Sequence, residues 1–107
     1  MKIVLFVAGK AGVVKTLPGE QPLEEIGELL GGTVEWPPQK LTPALGLCKV
    51  ERATDKTVKY AYLRQWRGLA ETEGACALVR MGADGTLRDV TKDDVDRANE
   101  LVWPVWE

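Results

Sequence analysis

The first third of the chain constrains the fold more than any other stretch, because it imitates a nucleotide site without the stereochemistry of one. Met1-Lys-Ile-Val-Leu-Phe-Val-Ala8 is a nearly unbroken apolar run of strand length, and Gly9-Lys-Ala-Gly-Val-Val-Lys-Thr16 follows where a phosphate-binding loop would sit. The spacing departs by one residue from Gly-x-x-x-x-Gly-Lys-Thr, with Val14 standing where the second glycine belongs. That glycine lets the backbone turn tightly and bring its N–H groups against phosphate. A β-branched side chain clashes there and resists positive φ. A phosphate loop must also run into a helix whose N-terminal dipole faces the anion, yet Pro18-Gly19 follows closely on Lys15. At 107 residues the chain also lacks room for the multi-stranded parallel sheet of a nucleotide hydrolase. The segment therefore reads as a hairpin: a buried strand, a glycine-rich turn over Gly9–Gly12, and a short return strand over Val13–Leu17.

Composition narrows the chemistry further. The chain has no histidine, so no Ser-His or Cys-His nucleophile pair exists, and its carboxylates fall mostly on helix faces. Cys48 and Cys76 lie in separate apolar segments without Cys-x-x-Cys spacing, which reads as two buried, reduced thiols, with a disulfide as the alternative, rather than a metal site. The expectation is a protein that is not an enzyme and takes neither metal nor cofactor. The net charge of −2 is unevenly spread: six bases (Lys49, Arg52, Lys56, Lys59, Arg64, Arg67) face only Glu51 and Asp55 in the middle, while acids dominate from Asp84 to Glu107. An acidic tail on a net-negative chain argues against duplex nucleic acid as a partner. No apolar run approaches a membrane span, and the expected location is the cytoplasm.

The rest of the pattern reads as a single α+β domain over residues 1–107. It comprises an antiparallel or mixed sheet of about five or six strands with two helices on one face. Pro22 suits the first position of a helix whose Leu23, Ile26, Leu29 and Leu30 recur at helical spacing, and Gly31-Gly32 ends it. Gly27 inside it points to close packing on the sheet. Thr33–Trp36 reads as a short strand, and Pro37–Pro43 as a connecting loop. Leu45–Glu51 and Thr57–Leu63 read as strands joined by a turn over Ala53–Lys56, with Tyr60 and Tyr62 on one face. Ala70–Gly74 reads as an acidic connection, Ala75–Met81 as a strand, and Asp84-Gly85 as a hairpin turn into Thr86–Val90. Thr91 caps the last helix with Asp93 and Asp94 in its first turn, Val90 staples to Val95, and Pro104 ends it.

One stretch is rich in recognition chemistry. In Lys59-Tyr-Ala-Tyr-Leu-Arg-Gln-Trp-Arg67, the residues Tyr60, Tyr62, Arg64, Trp66 and Arg67 are types enriched at binding hot spots. Arginine also grips phosphate while an aromatic ring stacks a base. The competing reading puts the rings in the core and the arginines in water. The apolar tail Leu101-Val-Trp-Pro-Val-Trp-Glu107 offers a similar choice, in which Trp103 and Trp106 either close over the core or make a symmetric dimer contact.

The N-terminal pattern of Met1-Lys-Ile-Val-Leu5, Gly9-Lys10, Val14-Lys15, Leu23-Glu-Glu-Ile-Gly-Glu-Leu-Leu-Gly-Gly32 and Thr33-Val-Glu35 resembles a family of small proteins of unknown function found in phages, prophages and plasmids. Gly74-Ala-Cys-Ala-Leu-Val79, Asp84-Gly85 and Val90-Thr-Lys-Asp-Asp-Val95 extend the likeness. The segment from Lys49 to Gly68 departs from it, having neither the Asn-Glu-Glu-Gly-Lys turn nor the Leu-Pro-x-Asn-Arg segment expected there. The resemblance implies an accessory role in mobile-element biology and carries over no active residues. Three functions follow as expectations. The first is stoichiometric inhibition of a host protein, by analogy a component of a defence system. The second is a sponge for a signalling nucleotide, and the third a structural or regulatory homodimer.

Overall fold

The computed structural model describes residues 1–53 and 56–105, and shows two antiparallel sheets and two helices. The larger sheet runs in the order β2 (Val13–Thr16), β1 (Lys2–Phe6), β7 (Cys76–Met81), β4 (Leu45–Cys48) and β3 (Gln39–Lys40), with β8 (Leu87–Arg88) also paired to β7. The smaller sheet is β6 (Gly68–Glu73), β5 (Lys59–Arg64) and β9 (Val102–Pro104). The α+β expectation and the size of the main sheet hold.

The helices do not share a face. Strands β1 and β7 are buried on both sides, so side chains alternate between two separate cores. Val4, Phe6, Leu47 and Leu78 meet Ala98 and Leu101 of α2 (Lys92–Leu101) together with Tyr60, Tyr62 and Val102 of the smaller sheet. Ile3, Leu5, Ala77 and Val79 meet Ile26 and Leu30 of α1 (Pro22–Leu30) on the other side. The expectation of both helices on one face is thus corrected. A central strand with apolar residues on both faces needs cover on both, and each helix supplies one side.

Local chemistry explains the helix ends. Gly31 takes the left-handed conformation with φ 82°, and the Gly31 and Gly32 amides both bond to the Gly27 carbonyl. A Cβ on Gly27 would lie 2.7 Å from the Gly32 carbonyl oxygen, so this glycine makes room for the helix's own returning chain rather than for the sheet. At α2, the Thr91 hydroxyl accepts from the Asp94 amide and the Asp94 carboxylate accepts from the Thr91 amide. Asp94 also receives Arg80 from β7 at 2.8 Å, which ties this cap to the sheet. Val90 is buried and Val95 packs in the same core, as the staple requires.

Several short elements differ from expectation. Thr33–Trp36 makes an isolated bridge, Val34 to Val50, rather than a strand. The Pro37–Pro43 loop holds the two-residue edge strand β3. The acidic connection at Ala70–Gly74 is largely the six-residue strand β6, whose alternation is masked because glutamates and threonine occupy a sheet edge. The turn expected over Ala53–Lys56 includes Thr54 and Asp55, which lie outside the described residues. Among the described residues, no helix is long and apolar enough to cross a membrane.

Candidate functional site

The glycine-rich front segment is the turn of the β1–β2 hairpin, with Val14 paired opposite Val4. Its polar groups face inward. The Lys10 amide bonds to the Val7 carbonyl, the Gly12 amide to Asn99 Oδ1 at 2.8 Å, and the Lys10 carbonyl accepts the Tyr60 hydroxyl at 2.9 Å. A Cβ on Gly12 would lie 2.6 Å from Val4 Cγ1 and 2.7 Å from Phe6 Cζ, so this glycine serves packing. These inward bonds, and a following strand where a helix would be needed, give the turn no phosphate cradle.

The aromatic-arginine stretch divides along β5. Tyr60 is 0% exposed and Tyr62 is 3% exposed, so both belong to the core and neither presents a surface. Strand alternation turns them toward the larger sheet, where Tyr60 packs edge-on to Phe6 with ring centroids 5.6 Å apart. Burial, with the Cys76 thiol beside it, pushes the Tyr60 phenol up to about 12. The Tyr62 hydroxyl accepts from Lys49 Nζ at 3.3 Å. Arg64 folds back onto its own turn, donating to the Arg67 carbonyl at 3.0 Å and more weakly to those of Gly68 and Leu69. Of the five expected binding residues, the structure therefore leaves only Trp66 and Arg67 outward.

Those two form the tip of the β5–β6 hairpin. Trp66 is 93% exposed and has φ 64°, a left-handed conformation that a bulky side chain rarely adopts. The tip is held from two sides: the Arg64 guanidinium grips its carbonyls, and the Gln65 amide bonds to the Lys40 carbonyl of β3 at 3.0 Å. Such strain persists only where the surroundings over-determine it.

Docking of the tip on β3 makes one wall of a cleft of about 510 Å³. Trp66 and Arg67 line it from the tip, Pro37 and Pro38 from the opposite loop, and Lys40 and Lys49 add positive charge. Glu35 stands 3.9 Å from Lys49, leaving Lys40 and Arg67 as the cations that carry no ion pair with a described residue. Trp36, beside the cleft, is 51% exposed. Sequence reasoning missed Lys40 and the proline wall, because they come from a segment far from β5 in sequence, which the fold brings alongside with the Gln65–Lys40 bond. The Trp36-Pro37-Pro38 run was the available signal, since prolines disfavour burial in a sheet interior.

The remaining candidates lie elsewhere. Trp103, on β9 opposite Ala61, is half-buried on the outer face of the smaller sheet, and Trp106 lies outside the described residues. Burial pushes the Cys48 and Cys76 thiols each up to about 12, the state of inert core groups. Among the described residues, no group of three metal-ligating side chains converges. No protein-family model, no curated protein and no solved structure matches the chain.

Proposed function

We propose that this chain is a non-enzymatic binding protein that acts by stoichiometric contact with another protein, with Trp66 as its anchor. The observation that carries the reading is a tryptophan held almost wholly in solvent, in a strained conformation, on a turn braced from both sides. A ring in that position has large rigid area to bury in a partner's pocket and loses little entropy on docking, the pattern of interface hot spots. Arg67 and Lys40 beside it suit a pocket rimmed by carboxylates. The resemblance to mobile-element proteins makes the partner a host protein, and blunting of a defence system is the activity it suggests by analogy.

The nucleotide-sponge reading draws on the same cations but needs rings and arginines that converge on one ligand. Tyr62 is in the core and Arg64 is committed to its own turn, which favours the protein-contact reading.

Capture from bacterial lysate with the wild-type chain, compared with Trp66→Ala, is the test. A partner bound in a defined ratio by the wild type and lost by the variant is expected. Retention of every captured protein by the variant overturns the assignment. A rise in melting temperature with cyclic dinucleotides would transfer the cleft to the sponge reading.

A further inference from the structure

Strand β6 is the outer strand of the smaller sheet, pairing with β5 on one side. Among the described residues no strand pairs with its other side. It is six residues long, whereas the edge strands β2, β3 and β9 have four, two and three. Gln65 already occupies one carbonyl of β3, and β9 ends in Pro104, which has no amide to donate. On β6 Arg64 reaches the Gly68 and Leu69 carbonyls at the tip end, and the edge beyond them is a template for another strand. Leu69, Glu71 and Glu73 share the outer face, since they stand opposite Leu63, Ala61 and Lys59 of β5. Leu69 is 60% exposed there, beside the 38% exposed Leu63.

We propose that the occupant of this edge is a second copy of the chain, its β6 paired antiparallel with Ala70 opposite Ala70. A twofold axis normal to the sheet keeps outer faces together, so outer residues must pair with outer residues. Centring the pair on Ala70 sets Glu71 opposite the partner strand's Leu69 and brings Arg67 beside its Glu73, each twice by symmetry. The two Leu69 side chains become diagonal neighbours, within the reach of cross-strand contact. Centring on Glu71 would instead set two like charges directly opposite, which destabilises a pair. Centring on Leu69 avoids that clash as well, with Arg67 opposite Glu71, but it gives Glu73 no opposite charge, so the charge swap at Arg67 and Glu73 distinguishes the two registers. Trp66 stays beyond the last pair at each end, while Arg67 also lines the cleft, so the dimer is tested on the chain alone, without any partner of the tip.

A six-residue edge is a small contact beside the roughly 1,600 Å² of a stable interface, so the dimer should be reversible. Sedimentation of the full chain over a dilution series tests it, and is blind to any partner of the tip. The wild type should dimerise. Arg67→Glu and Glu73→Arg should each weaken the dimer at least about tenfold, because each creates two like-charge contacts. The double variant, which swaps the charges, should restore it. Val14→Lys, on the edge strand β2, should leave it unchanged. Thermal melts show that each variant is folded. A wild type that stays monomeric, single variants without effect, a double variant that does not recover, or a dimer dissolved by Val14→Lys each overturns the proposal.

Discussion

The two hairpins of this molecule use similar residue types to opposite ends. The front hairpin, β1–β2, turns through Ala8–Gly12 with positive φ at Ala8 and Gly9, and its turn is tied to β5 through Tyr60 and to α2 through Asn99. The β5–β6 hairpin also turns with positive φ, at Trp66 and Gly68, but its tip carries the most exposed aromatic ring among the described residues. In the first, polar groups of the turn are spent on the protein's own interior. In the second, they brace a side chain that the interior does not use. The lysine-and-glycine segment that imitates a ligand site is therefore architecture, and the less conspicuous turn is the better candidate for recognition.

Tyr60 joins the two regions, since it belongs to the second hairpin but clamps the turn of the first. Tyr60→Ala should produce the largest loss, about 3–5 kcal/mol, by removing a fully buried ring and its hydrogen bond. Tyr60→Phe should cost about 1–2 kcal/mol, chiefly by leaving the Lys10 carbonyl without its partner. Urea unfolding measures both, and a loss in Tyr60→Ala no larger than in Tyr60→Phe would dissolve the distinction between root and tip.

Alkaline titration reaches the same interior. Cys48 and Cys76 are raised from 9.0 to about 12 by burial, with the neighbouring thiol adding to the shift at Cys76. Folding keeps them protonated, so their contribution is complete below pH 9.0 and is lost as pH rises toward about 12. Each thiol contributes a slope of about 1.4 kcal/mol per pH unit in that window, or about 3 kcal/mol for the two one unit above the ordinary value. Urea midpoints at pH 7, 9 and 10 should fall mostly over the last interval. Cys48→Ala should remove about half of that fall.

Much of the fold was legible where one physical signal dominated. The α1 boundaries were visible because proline and paired glycines mark its ends, and the start of α2 because the Thr91–Asp94 cap and the Val90 staple agree. But α2 stops at Leu101, and Val102–Pro104, expected to be helix up to Pro104, turns extended to pair with β5. Both tyrosines of β5 shared a face as alternation required, but alternation does not say whether that face looks inward. The second sheet beneath the main one decided it. Strand β6 was hidden because an edge strand with a polar outer face lacks the pattern of a buried one. Exposure of Trp66 depended on a left-handed backbone at a tryptophan, which local propensity does not anticipate.

Glycine substitutions sharpen the contrast at smaller amplitude. Gly12→Ala should cost about 1–3 kcal/mol through overpacking, because its Cβ meets Val4 and Phe6. Gly68 has φ 74° and nothing within 4 Å of its Cβ position, so Gly68→Ala should cost only about 1 kcal/mol, from conformation rather than space. Cavity-making Phe6→Leu should partly relieve Gly12→Ala and leave Gly68→Ala unaffected, a difference that a double-mutant cycle measures. Equal coupling in the two cycles would mean that both glycines answer to packing.

The smallest effect bears most directly on function. Because Trp66 is 93% exposed, truncating it to alanine removes little buried surface and leaves a residue with a Cβ in the same left-handed conformation. Trp66→Gly removes that conformational cost of about 1–2 kcal/mol and returns part of it as extra freedom in the unfolded chain. Trp66→Gly should therefore be more stable than Trp66→Ala by about 0.5–1 kcal/mol in urea unfolding. Both variants lose the ring, so both should lose the captured partner to the same degree. Stability then differs between the two variants while binding does not, which separates the strained backbone from the ring. A glycine variant no more stable than the alanine variant would show that the backbone is relaxed at the tip, and Trp66 would then be an exposed ring without stored strain.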